Sequence, residues 1–244
     1  MSALRLLAIL TLLPLLAVFA TASAHEPLVE DQCGVERAER EHALNADLER
    51  CADAGEPRAQ AALGFLYWGA SRATYCRAGV CTLDDPSRRG LDASLTLEQL
   101  QVEGLRLIEA ASRSGVAEVQ NELGAAYLDG EFGLAVDYAA ARSWLEMATE
   151  GGDAIAPYSL SRIYFGGFGV EQSNARAEQL LRLSAERRYQ PAQCSLIRWL
   201  SQYSDRRRQR EADDLRASLR RERYRCDAID FIREMPLIST DETL

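Results

Sequence analysis

The sequence predicts an all-α fold, an α/α superhelix (solenoid) of about four antiparallel helix pairs with capping helices at both ends. The first observation is a recurring pattern in which alanine or valine is followed by leucine four residues later, and in three copies by tyrosine four residues after that. The copies occupy residues 59–67, 119–127, 156–164 and 192–200. The second observation is that their leucines lie 60, 37 and 36 residues apart. A period in the high thirties made of two helical patterns is typical of α-solenoids.

Each unit is predicted to contain a first helix, a glycine-rich loop and a second helix. The loops are residues 130–133 in the second unit and 167–170 in the third. Asp137 and Ser173 follow these loops, where a side-chain oxygen accepts the first free amide hydrogens of a helix. We expect Gly151 to end the second helix of the second unit in a left-handed conformation.

The repeats are expected to span residues 57–204. Because the first step between leucines exceeds the second by 23 residues, an insertion held by a disulfide is predicted at 70–94. Residues 25–56 are predicted to form an N-terminal cap, with one helix over 36–54, and residues 205–244 a C-terminal capping helix and tail. Such caps are needed because a bare final hairpin would expose its stacking face.

Residues 1–24 have the pattern of a secretory signal peptide. Arg5 precedes an apolar run at 6–19, and small residues lead to a cleavage site after Ala24. The apolar run is shorter than the roughly 20 residues that a bilayer span needs. We therefore expect a mature chain that begins at His25, spans no membrane and is periplasmic or secreted.

The charge pattern is uneven along the chain. All 28 basic residues are arginine, and without Arg5 the 27 that remain face 37 acids, a net charge of −10. This acidity argues against nucleic acid as a partner, because like charges repel. Residues 205–225 instead carry nine arginines against five acids. That segment is either a solvated helix face with internal ion pairs or a docking patch for an acidic partner.

An even number of cysteines in an exported chain indicates disulfides, and here the six stand at positions 33, 51, 76, 81, 194 and 226. The repeat spacing places Cys226 just past the last helix, next to the start of the helix that carries Cys194, so these two are predicted to pair. Cys76 with Cys81 is the second predicted pair. The pairing of Cys33 with Cys51 stays open, because 18 residues of continuous helix would separate them by about 27 Å.

Several motif positions resemble the Sel1-like repeat, a branch of the tetratricopeptide-like superfamily. They are Leu-Gly-x-x-Tyr at 123–127, Gly-x-Gly-Val at 167–170, and a second helix with Asp137, Ala141 and Trp144. The resemblance covers about residues 57–200. Ser161 stands where the pattern has glycine, Leu180 where it has tryptophan, and the first unit lacks the Gly-x-Gly loop.

The resemblance implies a protein or extended peptide as partner, held in a concave groove that the first helices line. In tetratricopeptide-like repeats the lining positions are two and five residues to either side of the repeat leucine. Carried over, these positions are Arg58, Phe65, Trp68, Glu118, Asn121, Leu128, Ile155, Tyr158, Arg162 and Phe165. The aromatic side chains among them are equally compatible with a core. Cys194 occupies the same position in the fourth unit, so the C-terminal segment is expected to close that end.

The sequence also lacks the parts of several enzymes, so we expect no catalytic site, cofactor or metal. Without lysine there is no P-loop and no Ser-x-x-Lys nucleophile. The two histidines, His25 and His42, have no triad or zinc spacing around them. The predicted function is an exported scaffold or adaptor for protein–protein interaction. The alternatives are a hydrolase that acts on the cell wall or on β-lactams, and a structural envelope component without a specific ligand.

Overall fold

The chain is a row of helical hairpins. The computed structural model describes residues 46–72, 74–77, 80–83 and 95–226, with residues 33, 35, 36 and 38, and for 70–72, 74–77 and 80–83 it describes the backbone alone. Its helices are α1 (Ala46–Asp53), α2 (Pro57–Arg72), α3 (Leu97–Arg113), α4 (Ala117–Asp129), α5 (Tyr138–Glu150), α6 (Ala156–Gly166), α7 (Asn174–Glu186), α8 (Gln190–Leu200) and α9 (Arg206–Arg221). A β-hairpin, β1 (Thr74–Arg77) and β2 (Val80–Leu83), lies between α2 and α3.

The helices form four pairs, α2 with α3, α4 with α5, α6 with α7 and α8 with α9, and α1 precedes them. Every helix contacts the next helix along the chain, from α1 to α9. The core is correspondingly spread along the row as neighbouring clusters of buried side chains. The predicted all-α solenoid is therefore confirmed.

Glycine allows the two helices of a pair to come unusually close. A Cβ atom on Gly64 of α2 would lie 2.8 Å from the carbonyl oxygen of Gly104 on α3, and one on Gly104 would lie 2.8 Å from the oxygen of Gly64. In the second pair, a Cβ atom on Gly124 would lie 2.7 Å from the side chain of Leu145. Since real Cβ contacts are longer, only glycine fits at these crossings.

Helix caps fix where the second helix of a unit begins. The Asp137 carboxylate accepts hydrogen bonds from the amides of Ala139 and Ala140, both at 3.0 Å, and the Ser173 hydroxyl accepts one from Arg176 at 3.3 Å. Both predicted N-caps are thus confirmed. The amides of Asp137 and Ser173 also bond back to the carbonyls of Tyr127 and Tyr164, which closes the two loops in the same way.

The prediction for Gly151 is wrong by one residue. Gly151 keeps a right-handed conformation with φ −69°, and Gly152 adopts the left-handed one with φ +93°. Gly151 still has a packing reason, because a Cβ atom there would lie 2.8 Å from the Cβ atom of Ala117. Gly151 therefore allows a close helix contact, and Gly152 makes the turn that follows it.

A glutamine repeats at the junctions between units. Three glutamines, each three residues before a repeat leucine, donate a side-chain hydrogen bond to a backbone carbonyl in the last turn of the preceding helix. They are Gln60, Gln120 and Gln193, and the distances are 3.3, 2.9 and 3.2 Å. The third unit has Pro157 in this place. There the Asp153 carboxylate accepts from the amides of Ile155 and Ala156 at 2.8 and 2.6 Å. Side-chain bonds thus fix each junction.

The N-terminal cap differs from the single helix predicted over 36–54. Cys33 and Cys51, whose pairing the sequence left open, form a disulfide with a Cα separation of 5.7 Å. The described helix α1 is Ala46–Asp53, and a Cα separation of 5.7 Å is too short for one continuous helix from residue 33 to residue 51. Val35 and Ala38 are helical and buried against the core that α1 and α2 form.

The C-terminal end is closed by the Cys194–Cys226 disulfide, with a Cα separation of 5.5 Å, the pair that the repeat spacing predicts. Cys194 is buried together with Ile197 and Leu219, and Tyr224 packs on them. The segment after α9 therefore covers this part of α8.

A half-buried polar network also anchors the last helices. Glu178 on α7 accepts a hydrogen bond from the indole of Trp199 on α8 at 3.0 Å. Its carboxylate also forms an ion pair with Arg182 at 2.8 Å, and Arg182 in turn forms an ion pair with Glu211 of α9. Burial alone would raise the pKa of Glu178, but the hydrogen bonds from Trp199 and Arg182 lower it below its ordinary value.

The β-hairpin lies in the predicted insertion at 70–94. Its antiparallel register places Cys76 opposite Cys81, next to the pair Arg77 and Val80. Facing residues in such a ladder have Cα atoms about 4.5–5.5 Å apart, a separation that a disulfide spans. The Cys76–Cys81 bond stays a prediction that this register supports. The predicted signal peptide, 1–24, lies outside the described residues.

We predict that Gly64→Ala destabilises the chain, although alanine is favoured over glycine in a helix by up to about 1 kcal/mol. The added methyl group has to separate α2 from α3, and overpacking of this kind costs about 1–3 kcal/mol. Urea unfolding of the full chain measures the difference. A variant more stable than the parent would mean that the crossing at Gly104 yields without cost.

We predict that the double variant Cys194→Ser, Cys226→Ser lowers the free energy of unfolding by roughly 2–4 kcal/mol under oxidising conditions, because the bond restricts a loop of some tens of residues in the unfolded chain. Thermal unfolding followed by circular dichroism measures it. Under reducing conditions the parent and the variant should melt together. Equal melting temperatures of the two oxidised proteins would contradict the prediction.

Candidate binding groove

The first helices of the units, α2, α4, α6 and α8, carry the predicted partner-binding residues. We call the positions two and five residues to either side of each repeat leucine on these helices the groove stripe. Of the predicted residues, Arg58 and Glu118 are exposed, Phe65, Trp68, Ile155 and Arg162 are half-buried, and Asn121, Leu128, Tyr158 and Phe165 are buried. The structure thus divides the predicted set into surface and core.

Three of the buried residues are part of the core. Leu128 belongs to the cluster between the second and third pairs. Phe165 is 3% exposed, and its ring lies 4.9 Å from that of Trp199. Tyr158 packs edge-on against Tyr189 with 5.4 Å between ring centroids, and burial raises its pKa to about 12. These side chains hold neighbouring units together and present little surface to a partner.

Phe132 covers the two aromatic residues of α2 on the stripe. Its ring lies 3.9 Å from that of Trp68 and 6.2 Å from that of Phe65. Phe132 is buried although its φ of +55° is unusual for a residue other than glycine, and its carbonyl accepts a hydrogen bond from Gln101 at 3.1 Å. The loop between α4 and α5 therefore packs over Trp68, and part of Phe65 remains open.

Arg162 on α6 pairs with Asp129 at the end of α4. Two nitrogen atoms of its guanidinium reach the two carboxylate oxygens at 3.0 and 3.3 Å. Such a bidentate pair is directional as well as charged. Arg162 therefore joins the second unit to the third, and a role in partner binding would have to be additional.

The open part of the stripe is a cavity of 230 Å³ between α2 and α4. Its floor is apolar and includes Ala61, Phe65 and Val119, and charged side chains on its rim include Arg58, Glu118 and Glu122. Three of these, Arg58, Phe65 and Glu118, are predicted stripe residues. The cavity is smaller than typical small-molecule sites of about 300–1,000 Å³, so its size suits a side chain of a larger partner.

Glu118, Glu122 and Asp153 form what we call the acidic patch. Burial raises the pKa of Glu122, and the nearby negative charges of Asp153 and Glu131 raise it further. Burial also raises the pKa of Asp153, although two backbone amides that bind its carboxylate oppose this. Among the described residues no arginine forms an ion pair with Glu118, Glu122 or Asp153. The patch is therefore a local excess of negative charge.

Asn121 lies on α4 one turn after Glu118. Its side chain is 3% exposed, and within the described residues its Oδ1 atom has no hydrogen-bond partner. A buried acceptor without a donor costs free energy in the isolated chain, of the order of 1–3 kcal/mol. It is therefore a position where a donor from outside the chain would be stabilising.

A second cavity, of 610 Å³, lies on the outer side, beside the insertion. Its lining includes Tyr67 of α2 and Glu98, Val102 and Glu103 of α3. Glu103 already pairs with Arg106 at 2.5 Å. Val102 is 64% exposed. This outer cavity is a second surface of the described residues at which a partner could contact the chain.

Sequence reasoning missed Glu122, Asp153 and Tyr189 as groove residues. Glu122 stands next to Asn121 and four residues after Glu118, so the helical spacing alone places it at the same surface. Asp153 and Tyr189 lie in connections between units, whose placement no helical periodicity gives. Within the described part of the chain, no group of three or more His, Cys, Asp and Glu side chains could hold a metal ion. None of its helices is long and apolar enough to cross a membrane.

We predict that Glu122→Gln raises the melting temperature slightly at pH 7, by about 1–2 °C. Because the pKa of Glu122 is raised in the folded chain, its ionised form opposes folding. As the pH falls through that pKa, Glu122 becomes protonated and no longer opposes folding of the parent. The melting temperatures of the parent and the variant should therefore converge near pH 4. Differential scanning calorimetry at both pH values measures this.

The matched control is Glu146→Gln on the second helix α5, whose carboxylate faces Arg142 at 3.7 Å. This change should not raise the melting temperature. If Glu122→Gln lowers stability at pH 7, the patch is neutralised in solution by a charge that lies outside the described residues.

The second and third units match a known family. The Sel1 repeat model matches residues 117–153, which hold α4 and α5, and residues 154–189, which hold α6 and α7. No curated protein is significantly similar to the chain. Sel1 repeats generally mediate protein–protein interaction, and proteins built from them are typically non-catalytic scaffolds.

Two solved structures are similar to the chain. One is a Sel1 repeat protein from Oxalobacter formigenes, at 24% identity and a TM-score of 0.45, over 69% of this chain and 96% of that one. The other is a protective antigen of uropathogenic Escherichia coli strains with an SLR fold, at 24% identity and a TM-score of 0.55. That match covers 72% of this chain and 33% of the antigen, and it shows the fold alone. Residues 117–189 therefore hold two Sel1 repeats, and the chain as described has the all-α solenoid architecture of an SLR fold.

Proposed function

We propose that this chain is an exported repeat scaffold that holds a partner protein, or an extended segment of one, on the groove stripe of its first helices. The observation that carries the proposal is the cavity between α2 and α4, which has an apolar floor and a charged rim. An apolar centre with a few polar groups around it is the usual composition of a protein interface. The general role of Sel1 repeats supports the same conclusion.

Export is supported by two independent features. Residues 1–24 have the composition of a signal peptide. The described residues contain two disulfides, Cys33–Cys51 and Cys194–Cys226. Disulfides of this structural kind persist in the periplasm or outside the cell and are rare in the cytosol. We therefore place the protein in the periplasm or in the secreted fraction.

The two other candidate functions have less support. A hydrolase would need ionisable groups that converge in a deep cavity. The 230 Å³ cavity is too small for most small-molecule ligands, and in the 610 Å³ cavity Glu103 is already paired with Arg106. A structural envelope component would not need an unneutralised patch beside a cavity. Both features favour a scaffold that binds a partner.

We predict that Ala125→Tyr, in the middle of the groove stripe of α4, weakens partner capture at least about tenfold, or ~1.4 kcal/mol. Ala125 is half-buried two residues after the repeat leucine Leu123, so a large side chain there would fill space above the groove. The measurement is a quantitative pull-down from periplasmic extract with the full chain as bait, followed by mass spectrometry.

The matched control is Val102→Tyr, which adds similar bulk on the exposed face of α3. Circular dichroism verifies that both variants fold. Loss of capture with Val102→Tyr alone would move the binding surface to the outer cavity. Unchanged capture with both folded variants would refute binding on the stripe.

A further inference from the structure

The acidic patch consists of three neighbouring carboxylates without an arginine ion pair, and two of them, Glu118 and Glu122, lie on the rim of the cavity. Several other acids of the described chain do pair with an arginine at 3.0 Å or less, namely Asp47, Glu103, Glu109, Asp129, Glu178 and Asp213. No such pair forms at Glu118, Glu122 or Asp153. The positive groups in the neighbourhood are Arg58 on the cavity rim and Arg187, which donates to the backbone carbonyl of Asp153 at 2.6 Å.

Repulsion among the three carboxylates of the acidic patch destabilises the folded chain when no partner is bound. Each carboxylate would be stabilised by a cation brought next to it, and the stabilisation is larger where protein has replaced part of the surrounding water. Asp153 is half-buried, so protein has replaced part of the surrounding water at this site. A positive charge from outside the chain would therefore stabilise the carboxylates of the patch.

Two further features point to a peptide-like ligand. The Oδ1 atom of Asn121, buried on the same stripe of α4, lacks a donor within the described residues, and a main-chain amide is a donor of the right kind. The half-buried ring of Phe65 lines the same cavity as Glu118 and Glu122. An aromatic ring next to carboxylates favours a cation with an aliphatic stem, because the stem packs on the ring while the charge meets the acids.

On the basis of the proposed function, we propose that the partner presents an extended basic segment. One lysine or arginine side chain of that segment binds Glu118, Glu122 and Asp153 with its charged group. The aliphatic part of the same side chain lies over Phe65 in the 230 Å³ cavity. The chain itself contains no lysine, so a lysine at this site comes from another molecule. The association is electrostatically steered, and salt weakens it.

The tail of the chain is the main competing occupant. Residues 227–244 follow Cys226, which its bond to Cys194 holds beside α8. They contain five acids and one arginine, a net charge of −4, and so repel the acidic patch. Their charge instead complements the nine arginines at 205–225. Charge complementarity thus assigns the patch to a basic partner segment and not to the tail.

The test uses the oxidised full chain and a fluorescein-labelled nonapeptide in which lysine and alanine alternate. A second peptide has every lysine acetylated, which keeps the length and removes the charge. Fluorescence anisotropy at low salt and at 0.5 M salt gives the dissociation constants. The variants are Glu118→Gln with Glu122→Gln in the groove, and Glu98→Gln with Glu146→Gln on the second helices α3 and α5 as the matched control.

The proposal predicts that the lysine peptide binds at least tenfold more tightly than the acetylated peptide, and that high salt and the groove variant each weaken it at least tenfold. The control variant should bind like the parent. Equal binding of the two peptides, no binding of either, or equal loss in both variants would overturn the proposal. So would a chain ending at Cys226 that binds the lysine peptide more than tenfold more tightly than the full chain, because the tail would then be the occupant.

The two proposals fail separately. If Ala125→Tyr abolishes partner capture but the groove variant binds the lysine peptide as the parent does, the groove is a binding surface with a partner of different chemistry. If the lysine peptide binds as expected but Ala125→Tyr leaves capture unchanged, the basic site exists and the scaffold holds its partner elsewhere.

Discussion

The close approach of two helices at a glycine is the constraint on which the rest of the structure depends. Where Gly64 faces Gly104, and where Gly124 faces Leu145, the helices of a unit pack with almost no side chain between them. The large residues are thereby left for the contacts between units, as with Phe165 on Trp199. Tight pairs joined by aromatic contacts produce a row in which the first helices lie side by side, and the groove stripe is a consequence of that order.

The repeating parts of the fold can be predicted from the sequence, because the same pattern of residues occurs in several units. The leucine period gives the helix pairs, and Asp137 and Ser173 give the starts of second helices, since an N-cap depends on local chemistry. The N-terminal cap does not follow, because it occurs once. A helical pattern over 36–54 could not show that Cys33 and Cys51 lie close enough to form a disulfide. The β-hairpin in the insertion is equally local and has no second copy that would reveal it.

The groove was only partly predictable for a related reason. Periodicity places a residue on a face of its own helix, but it does not tell which neighbour covers that face. Phe132 reaches Trp68 from a loop in an unusual backbone conformation, and Trp199 covers Phe165 from the next unit. Exposed charge is easier to place, so Arg58 and Glu118 lie at the surface as their type suggests. Asp153 belongs to a junction where proline has replaced the repeated glutamine, and it has both a structural and an electrostatic role.

The Cys194–Cys226 bond also limits how the row of units can be extended. It holds the residues after α9 against α8, so Cys194 of the last unit is not available to the groove stripe. The open part of the stripe lies at the other end, between α2 and α4. A further repeat added after α9 would therefore need the closing segment and its cysteine to move to the new last unit, whereas a repeat inserted before α8 would keep the existing closure.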